Sequence, residues 1–274
     1  MNKKYKLFYF FFTLSLFSYA QDDNYHSHIY FAWGYNKEWY SPSTIHISQP
    51  SLGNNYDLKN ITGNDRIGWD KLFTHEPTIP QYNYRIGFYR KKNASVGFEL
   101  NFDHTKYQLT PGQNAHIVGT INNAHVDTSM IIVDDYYFWK LNNGANFFCF
   151  NIIKRFFVTG TMNGKIRSYL VTKAGLGPVV PHVENTLMGK SNNPHFQLGG
   201  WNMGLELNYR CEFFDYFYLD IAQKLDYARY SGLIIYEGKA KQSFSCYEVM
   251  ATLGIMIPTK VKNKDKRTIG IPGF

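Results

Sequence analysis

Residues 201–210 read WNMGLELNYR, and this stretch decides the fold. Successive side chains of a strand point to opposite faces. One face of the segment carries Trp201, Met203, Leu205, Leu207 and Tyr209; the other carries Asn202, Gly204, Glu206, Asn208 and Arg210. The first face is aromatic at its ends and aliphatic in its middle. A strand crossing a bilayer has this profile, because rings settle at headgroup level. The second face is charged, amidic and small, as a crowded, hydrated lumen requires.

The same division recurs along the chain. Val96, Phe98, Leu100 and Phe102 alternate with Gly97, Glu99, Asn101 and Asp103. Phe217, Leu219, Ile221 and Leu225 alternate with Tyr218, Asp220, Ala222, Lys224 and Asp226. Tyr247, Val249, Ala251, Leu253 and Ile255 alternate with Glu248, Met250, Thr252 and Gly254. Tyr82, Tyr84, Ile86 and Phe88 alternate with Asn83, Arg85, Gly87 and Tyr89. A soluble sandwich also alternates, but it does not need a polar face this rich in glycine, asparagine and charge, nor aromatic ends on the apolar one. The reading is a single antiparallel transmembrane β-barrel.

Composition agrees. Aromatic residues make up 18% of the chain, with 22 Tyr, 22 Phe and 5 Trp, yet mean hydropathy is −0.36. A helical membrane bundle would not be so polar. A barrel combines an apolar band outside with a polar interior and two aromatic girdles.

The ends are not barrel. Lys3, Lys4 and Lys6 precede an apolar run from Leu7 to Phe17, and Ser18-Tyr19-Ala20 follows. This is the tripartite pattern of a secretory signal peptide, with cleavage expected before Gln21. The run is too short for a spanning helix, which needs roughly 20 apolar residues. Loss of those three lysines lowers the formal charge of +8 to +5. Lys260, Lys262, Lys264, Lys266 and Arg267 against Asp265 place +4 of this in the last residues. The high isoelectric point therefore reflects a tail and not a nucleic-acid face. The expected organisation is a signal peptide over 1–20, a barrel over 21–257 and a basic periplasmic tail over 258–274. Cys149, Cys211 and Cys246 form neither a disulfide framework nor a zinc pattern and read as packing residues.

Short polar links at Lys91-Lys92-Asn93 and Cys211-Glu212 read as periplasmic turns, and the longer segments 37–79 and 178–195 as surface loops. On this basis the chain holds about ten strands, within a range of 8–12, and an even number returns both ends to the periplasm. The strands fall near 27–36, 80–90, 94–106, 113–121, 127–140, 145–154, 165–175, 197–210, 213–226 and 243–257. A further hairpin is expected near 43–49 and 55–62.

The chain resembles the small outer-membrane β-barrel proteins of the Bacteroidota. The resemblance lies in Ser18-Tyr19-Ala20-Gln21, in Phe102-Asp103-His104-Thr105-Lys106-Tyr107, in Asn142-Asn143-Gly144-Ala145-Asn146-Phe147 and in the closing strand from Tyr247 to Ile255. It covers nearly the whole mature chain and implies the outer membrane as location. It adds little on activity, because such proteins are largely without an assigned one.

Candidate chemistry concentrates on the inward face. Arg85, Glu99, Asn101, Asp103, Glu206, Arg210, Asp220, Lys224 and Glu248 form a candidate lumen network. Charges in a narrow barrel must be paired, which makes the network structural before it is catalytic. Across a tight 91–93 turn, Arg85 is expected opposite Glu99. His104 and Lys106 are expected at the outer rim, where they could meet lipopolysaccharide phosphates or snorkel as a collar. A lipid A deacylase would need a Ser/His pair near that rim. His26-Ser27-His28 sits at the opposite end, and Asn142-Asn143-Gly144 is explained by an Asn-Gly hairpin. The nine histidines are scattered, so no metal site and no cofactor are expected. The expected function is a structural, binding or narrow transport role, with a lipid-modifying enzyme as the alternative. Expected partners are outer-membrane lipids, lipopolysaccharide and other envelope proteins, and no nucleic acid.

Overall fold

The structure, a computed structural model, describes residues 27–66, 81–90, 94–133, 135–141, 144–161 and 164–259. The segments expected as signal peptide and basic tail, the 91–93 link and Asn142-Asn143 lie outside these residues. Apart from one 3-10 turn, Pro50–Leu52, the regular elements of the described part are all strands. In chain order the strands begin with β1 (His28–Tyr40), β2 (Ser43–Gln49), β3 (Asn54–Ile61) and β4 (Gly63–Asn64). Next come β5 (Tyr82–Tyr89), β6 (Val96–Asp103), β7 (Tyr107–Leu109), β8 (Asn114–Ile121) and β9 (Ala124–Ile131). Then follow β10 (Tyr137–Leu141), β11 (Phe147–Gly160), β12 (Ile166–Val179), β13 (His182–Leu187) and β14 (Lys190–Ser191). The last are β15 (His195–Phe196), β16 (Gly200–Phe213), β17 (Phe217–Ile235) and β18 (Gly238–Pro258).

Eight of these strands form a closed ring in the order β1-β5-β6-β11-β12-β16-β17-β18, with β18 returning to pair β1. All its ladders are antiparallel. Closure leaves no sheet edge, which is the condition for a sheet to stand in lipid. The outward residues of 201–210 are all exposed, Leu205 the most at 65%, and their neighbours are buried. The alternations read at 82–89, 96–103, 217–226 and 247–255 hold in the same sense. Inward glycines make room for inward tyrosines. A Cβ at Gly254 would come within 2.1 Å of the Tyr218 ring, and one at Gly87 within 2.4 Å of the Tyr30 hydroxyl.

Both described chain ends and the short turns lie at one end of the ring. His28 pairs with Pro258, Tyr89 with Gly97, Gly160 with Arg167 and Phe213 with Phe217. By the rule that short turns face the periplasm, this is the periplasmic end. The link expected at Cys211-Glu212 lies inside β16. The chain turns two residues later, where Phe214 and Asp215 take positive φ.

At the other end, strands outrun the membrane. β17 has 19 residues and β18 has 21, whereas a spanning strand needs roughly 9–11. The far part of β18 pairs with β2, and the sheet continues through β3, β8 and β9. A second sheet, β14-β13-β10-β7-β4 with β15 beside β13, completes a head. Ile45, Ile47, Leu58, Ile117, Trp139 and Val183 belong to its buried core. The hairpin expected near 43–49 and 55–62 is present as β2 and β3, and it belongs to this head.

The segments 113–121 and 127–140 were expected in the ring and are not. They form β8, β9 and β10 of the head, which is why the ring has eight strands and not ten. The reason is the sense of their alternation. Ala115 and Ile117 are buried while His116, His125, Asp127 and Ser129 face solvent. A strand that is apolar inward and polar outward suits a sandwich in water; a lipid-facing strand needs the reverse. The loops expected at 37–79 and 178–195 are likewise structured in part, supplying β2, β3 and β4 and then β13 and β14.

Candidate functional site

The inward face of the ring carries a stack of buried charges. Nearest the periplasmic end, Arg155 donates to Glu212 at 2.9 Å and to the Ala94 carbonyl at 2.8 Å. Its guanidinium lies 4.0 Å from the Tyr89 ring centre and 4.9 Å from that of Tyr169. Arg167 joins Glu212 at 3.6 Å and also pairs with Asp215. Arg210 holds Asp220 in a two-pronged contact of 2.9 and 2.8 Å, with the Tyr218 ring against its guanidinium at 3.9 Å.

Above this, Glu99 accepts from the Tyr30 hydroxyl at 2.7 Å and from Lys173 at 2.8 Å. Lys173 also reaches Glu206 at 2.9 Å. Arg85 donates to Asp103 at 2.5 Å and lies 3.7 Å from Glu99 and 3.8 Å from Glu206. Lys224 reaches Asp103 and Asp226, both at 2.6 Å, and Glu248 at 3.9 Å. Asn101 completes the shell of Asp103 at 2.7 Å.

All nine residues expected in the lumen are buried on the inward face. Their pairing differs from expectation in one respect. Arg85 stands opposite Asn101, and Glu99 opposite Gly87. The hairpin closes through the Arg90 amide and the Val96 carbonyl at 2.9 Å, so its link is two residues longer than a 91–93 turn. A slip of two keeps every side chain on its face and makes Asp103 the closest partner of Arg85. Lys173, Arg155, Arg167 and Glu212 join the network beyond the nine residues expected there. Alternation through β12 exposes Ala174 and Leu176 and buries Arg167, Tyr169, Val171 and Lys173, so Lys173 was legible there; Arg155 lay one residue past the expected strand end.

Aromatic rings cover the outer mouth. Tyr107 stacks on Phe244 with centroids 5.0 Å apart, Tyr40 meets both edge-on, and Tyr230 lies 5.5 Å from Phe244. Trp139 donates its indole N–H to Gln242 at 2.9 Å. Tyr40, Tyr107, Tyr230 and Phe244 are packed with the core of the head, so the lid of the ring and the base of the head are one cluster.

His104 does not stand free at the rim. It is 7% exposed, stacks on Tyr82 at 4.6 Å, and meets the Asn146 side chain at 2.9 Å. Lys106 is half-buried. Of the Ser/His pattern at the first strand, His26 lies outside the described residues. The Ser27 hydroxyl donates to the Tyr89 carbonyl at 2.9 Å, and the His28 ring meets Tyr30 and Tyr89 edge-on.

Titration in the head is set by burial and by one exposed pair. Burial pushes the Tyr137 hydroxyl up to about 12. A hydrogen bond from His116, 2.7 Å away, holds Asp127 below the ordinary carboxylate range.

No protein-family model and no curated protein matches the chain. Among solved structures it is similar to Neisserial surface protein A (NspA), at 11% identity and a TM-score of 0.34 over 84% of this chain and 96% of that one. It is similar to Ail, the attachment invasion locus protein of Yersinia pestis, at 10% identity and 0.33 over 85% and 99%. It is also similar to the outer membrane protein AlkL, at 7% identity and 0.38 over 90% and 98%. These likenesses concern the fold alone. A closed antiparallel ring, apolar towards its surroundings and charged within, is the architecture of an outer-membrane β-barrel protein.

Proposed function

We propose that this chain is a non-conducting outer-membrane barrel that holds a folded β-head at the cell surface, as a structural or binding component. The observation that carries this reading is the shared cluster at the mouth. Tyr107 and Phe244 close the lumen and at the same time seat the head. Beneath them the lumen is crossed by buried ion pairs. Eight strands leave an interior just wide enough to be filled by side chains. A transport role would need a continuous wet path, and these layers argue against one. An acyl-cleaving role would need a serine and a histidine facing each other at the outer rim; the rim histidine, His104, faces Asn146 and Tyr82 instead. The half-buried Lys106 remains the residue to test for contact with lipopolysaccharide, and kinship with the Bacteroidota barrels belongs with this reading.

Two measurements test the proposal on the full mature chain. In planar bilayers it gives no stable open channel. In intact cells an impermeant amine reagent labels the exposed head lysines Lys239 and Lys241. Large steady conductance, or labelling of these lysines only after the outer membrane is opened, overturns it.

A further inference from the structure

The charges of the upper lumen are not matched one for one. Asp103 is held by Arg85, Lys224 and Asn101. Its neighbours fare worse. Asp226 lies 2.6 Å from the Lys224 ammonium but out of hydrogen-bond alignment, and Glu248 lies 3.9 Å from it. All four carboxylate oxygens of Asp226 and Glu248 lack a hydrogen-bond partner among the described residues. Yet Asp226 is 3% exposed and Glu248 not at all. Buried carboxylates do not stay ionised in this state unless something else neutralises them. One positive charge, already shared with Asp103, cannot neutralise both.

Their geometry suggests what does. Oxygens of Asp103, Asp226 and Glu248 lie within 4.8 Å of one another. A hard cation with oxygen ligands at about 2.3–2.6 Å spans that distance. Gly204 leaves the room that this carboxylate fills: a Cβ there would come within 2.3 Å of the Asp226 Oδ1. We propose that Asp226 and Glu248, with Asp103 beside them, hold a divalent cation of the calcium class in the upper lumen next to Lys224. The aromatic lid above and the Arg85 layer below mean that the ion is taken up as the ring closes. It would act as a cross-link between β6, β17 and β18. The rival occupant is a proton shared by the two carboxyls.

The test refolds the full mature chain in detergent with either calcium chloride or EDTA, counts bound metal on a gel-filtered portion, and melts the remainder with the free calcium or EDTA still present. The expected result is close to one calcium per chain and a melting temperature about 5–10 °C above the EDTA sample, the shift given by ligand near a hundred times its dissociation constant. Glu248→Gln should lose the bound calcium and the shift, and in EDTA should melt above the unsubstituted chain because a lone carboxylate is gone. Should that variant fail to refold, Asp226→Asn reads the same quantities. No retained calcium together with equal melting in calcium and EDTA overturns the proposal in favour of the shared proton. Calcium retained undiminished by both substitutions overturns the assignment to these residues.

Discussion

Replacing Arg85 separates the partner it holds from the partners it merely approaches. Arg85 is 3% exposed in side chain and donates to Asp103 at 2.5 Å, while Glu99 is 3.7 Å away. Two unit charges about 4 Å apart at an effective dielectric near 20 attract by about 4 kcal/mol. Removing one member of such a buried pair costs about 3–5 kcal/mol, since the other is left unpaired. We therefore expect Arg85→Met to destabilise the barrel by about 3–5 kcal/mol. The rescue should be unequal. Glu99 keeps Lys173 and the Tyr30 hydroxyl when Arg85 is gone. Asp103 loses its shortest contact and keeps only Lys224 and Asn101. A double-mutant cycle should give a coupling of about 2–3 kcal/mol between Arg85→Met and Asp103→Asn, and under about 1 kcal/mol between Arg85→Met and Glu99→Gln. The assay is urea unfolding in lipid vesicles, followed by tryptophan fluorescence and by heat-modifiability on gels. A coupling to Glu99 as large as that to Asp103 would refute the reasoning and, with it, the two-residue register.

Other expectations follow from the same geometry. Leu205→Arg puts a charge midway along the outward face of β16 and should cost about 2–4 kcal/mol in lipid vesicles; a neutral outcome would mean that this face does not meet lipid. Leu58→Ala empties a fully buried site in the head and should cost about 2–5 kcal/mol, and head residues should lose proteolytic protection before the ring does; simultaneous loss would show that head and ring unfold as one unit. Asp127 has a lowered pKa, so its contribution is complete above the ordinary carboxylate range and is lost as pH falls through its depressed value. Carboxyl carbon shifts should place its titration below that of a free aspartate, and His116→Ala should move it back up; an unmoved midpoint would show that His116 is not the cause.

How much of this was legible depends on what each residue answers to. The two faces of each ring strand were legible because alternation answers to a two-fold backbone geometry that no tertiary contact can change. Trp201, Leu205 and Tyr209 face out, and Glu206 and Arg210 face in, whatever the register. Register itself is set by turn closure, and sequence does not show whether a polar run such as 91–93 is the whole link or its middle. The Arg90 to Val96 bond lengthened it by two and moved Arg85 from Glu99 to Asp103.

The ring holds eight strands, the low end of the 8–12 expected, for a different physical reason, and that reason leads to the head. Period two reports a half-buried strand but not which side is wet. In β16 the apolar residues face out, and in β8 Ala115 and Ile117 face in; both patterns read alike until the solvent on each side is known. The discriminating signal is chemical. Outward positions of ring strands end in rings, as Trp201 and Tyr209 do, because they meet an interface. The buried positions of β8 are an alanine and an isoleucine without aromatic ends, because they meet a core. Applied along the chain, that distinction moves 113–121 out of the ring and leaves β17 and β18 as strands that belong to both environments. Their length makes the head a continuation of the barrel wall and not a set of loops, and Phe244 on β18 sits where wall, lid and head core meet. A substitution there should therefore register in both halves of the molecule, whereas Leu58 on β3 should register in one.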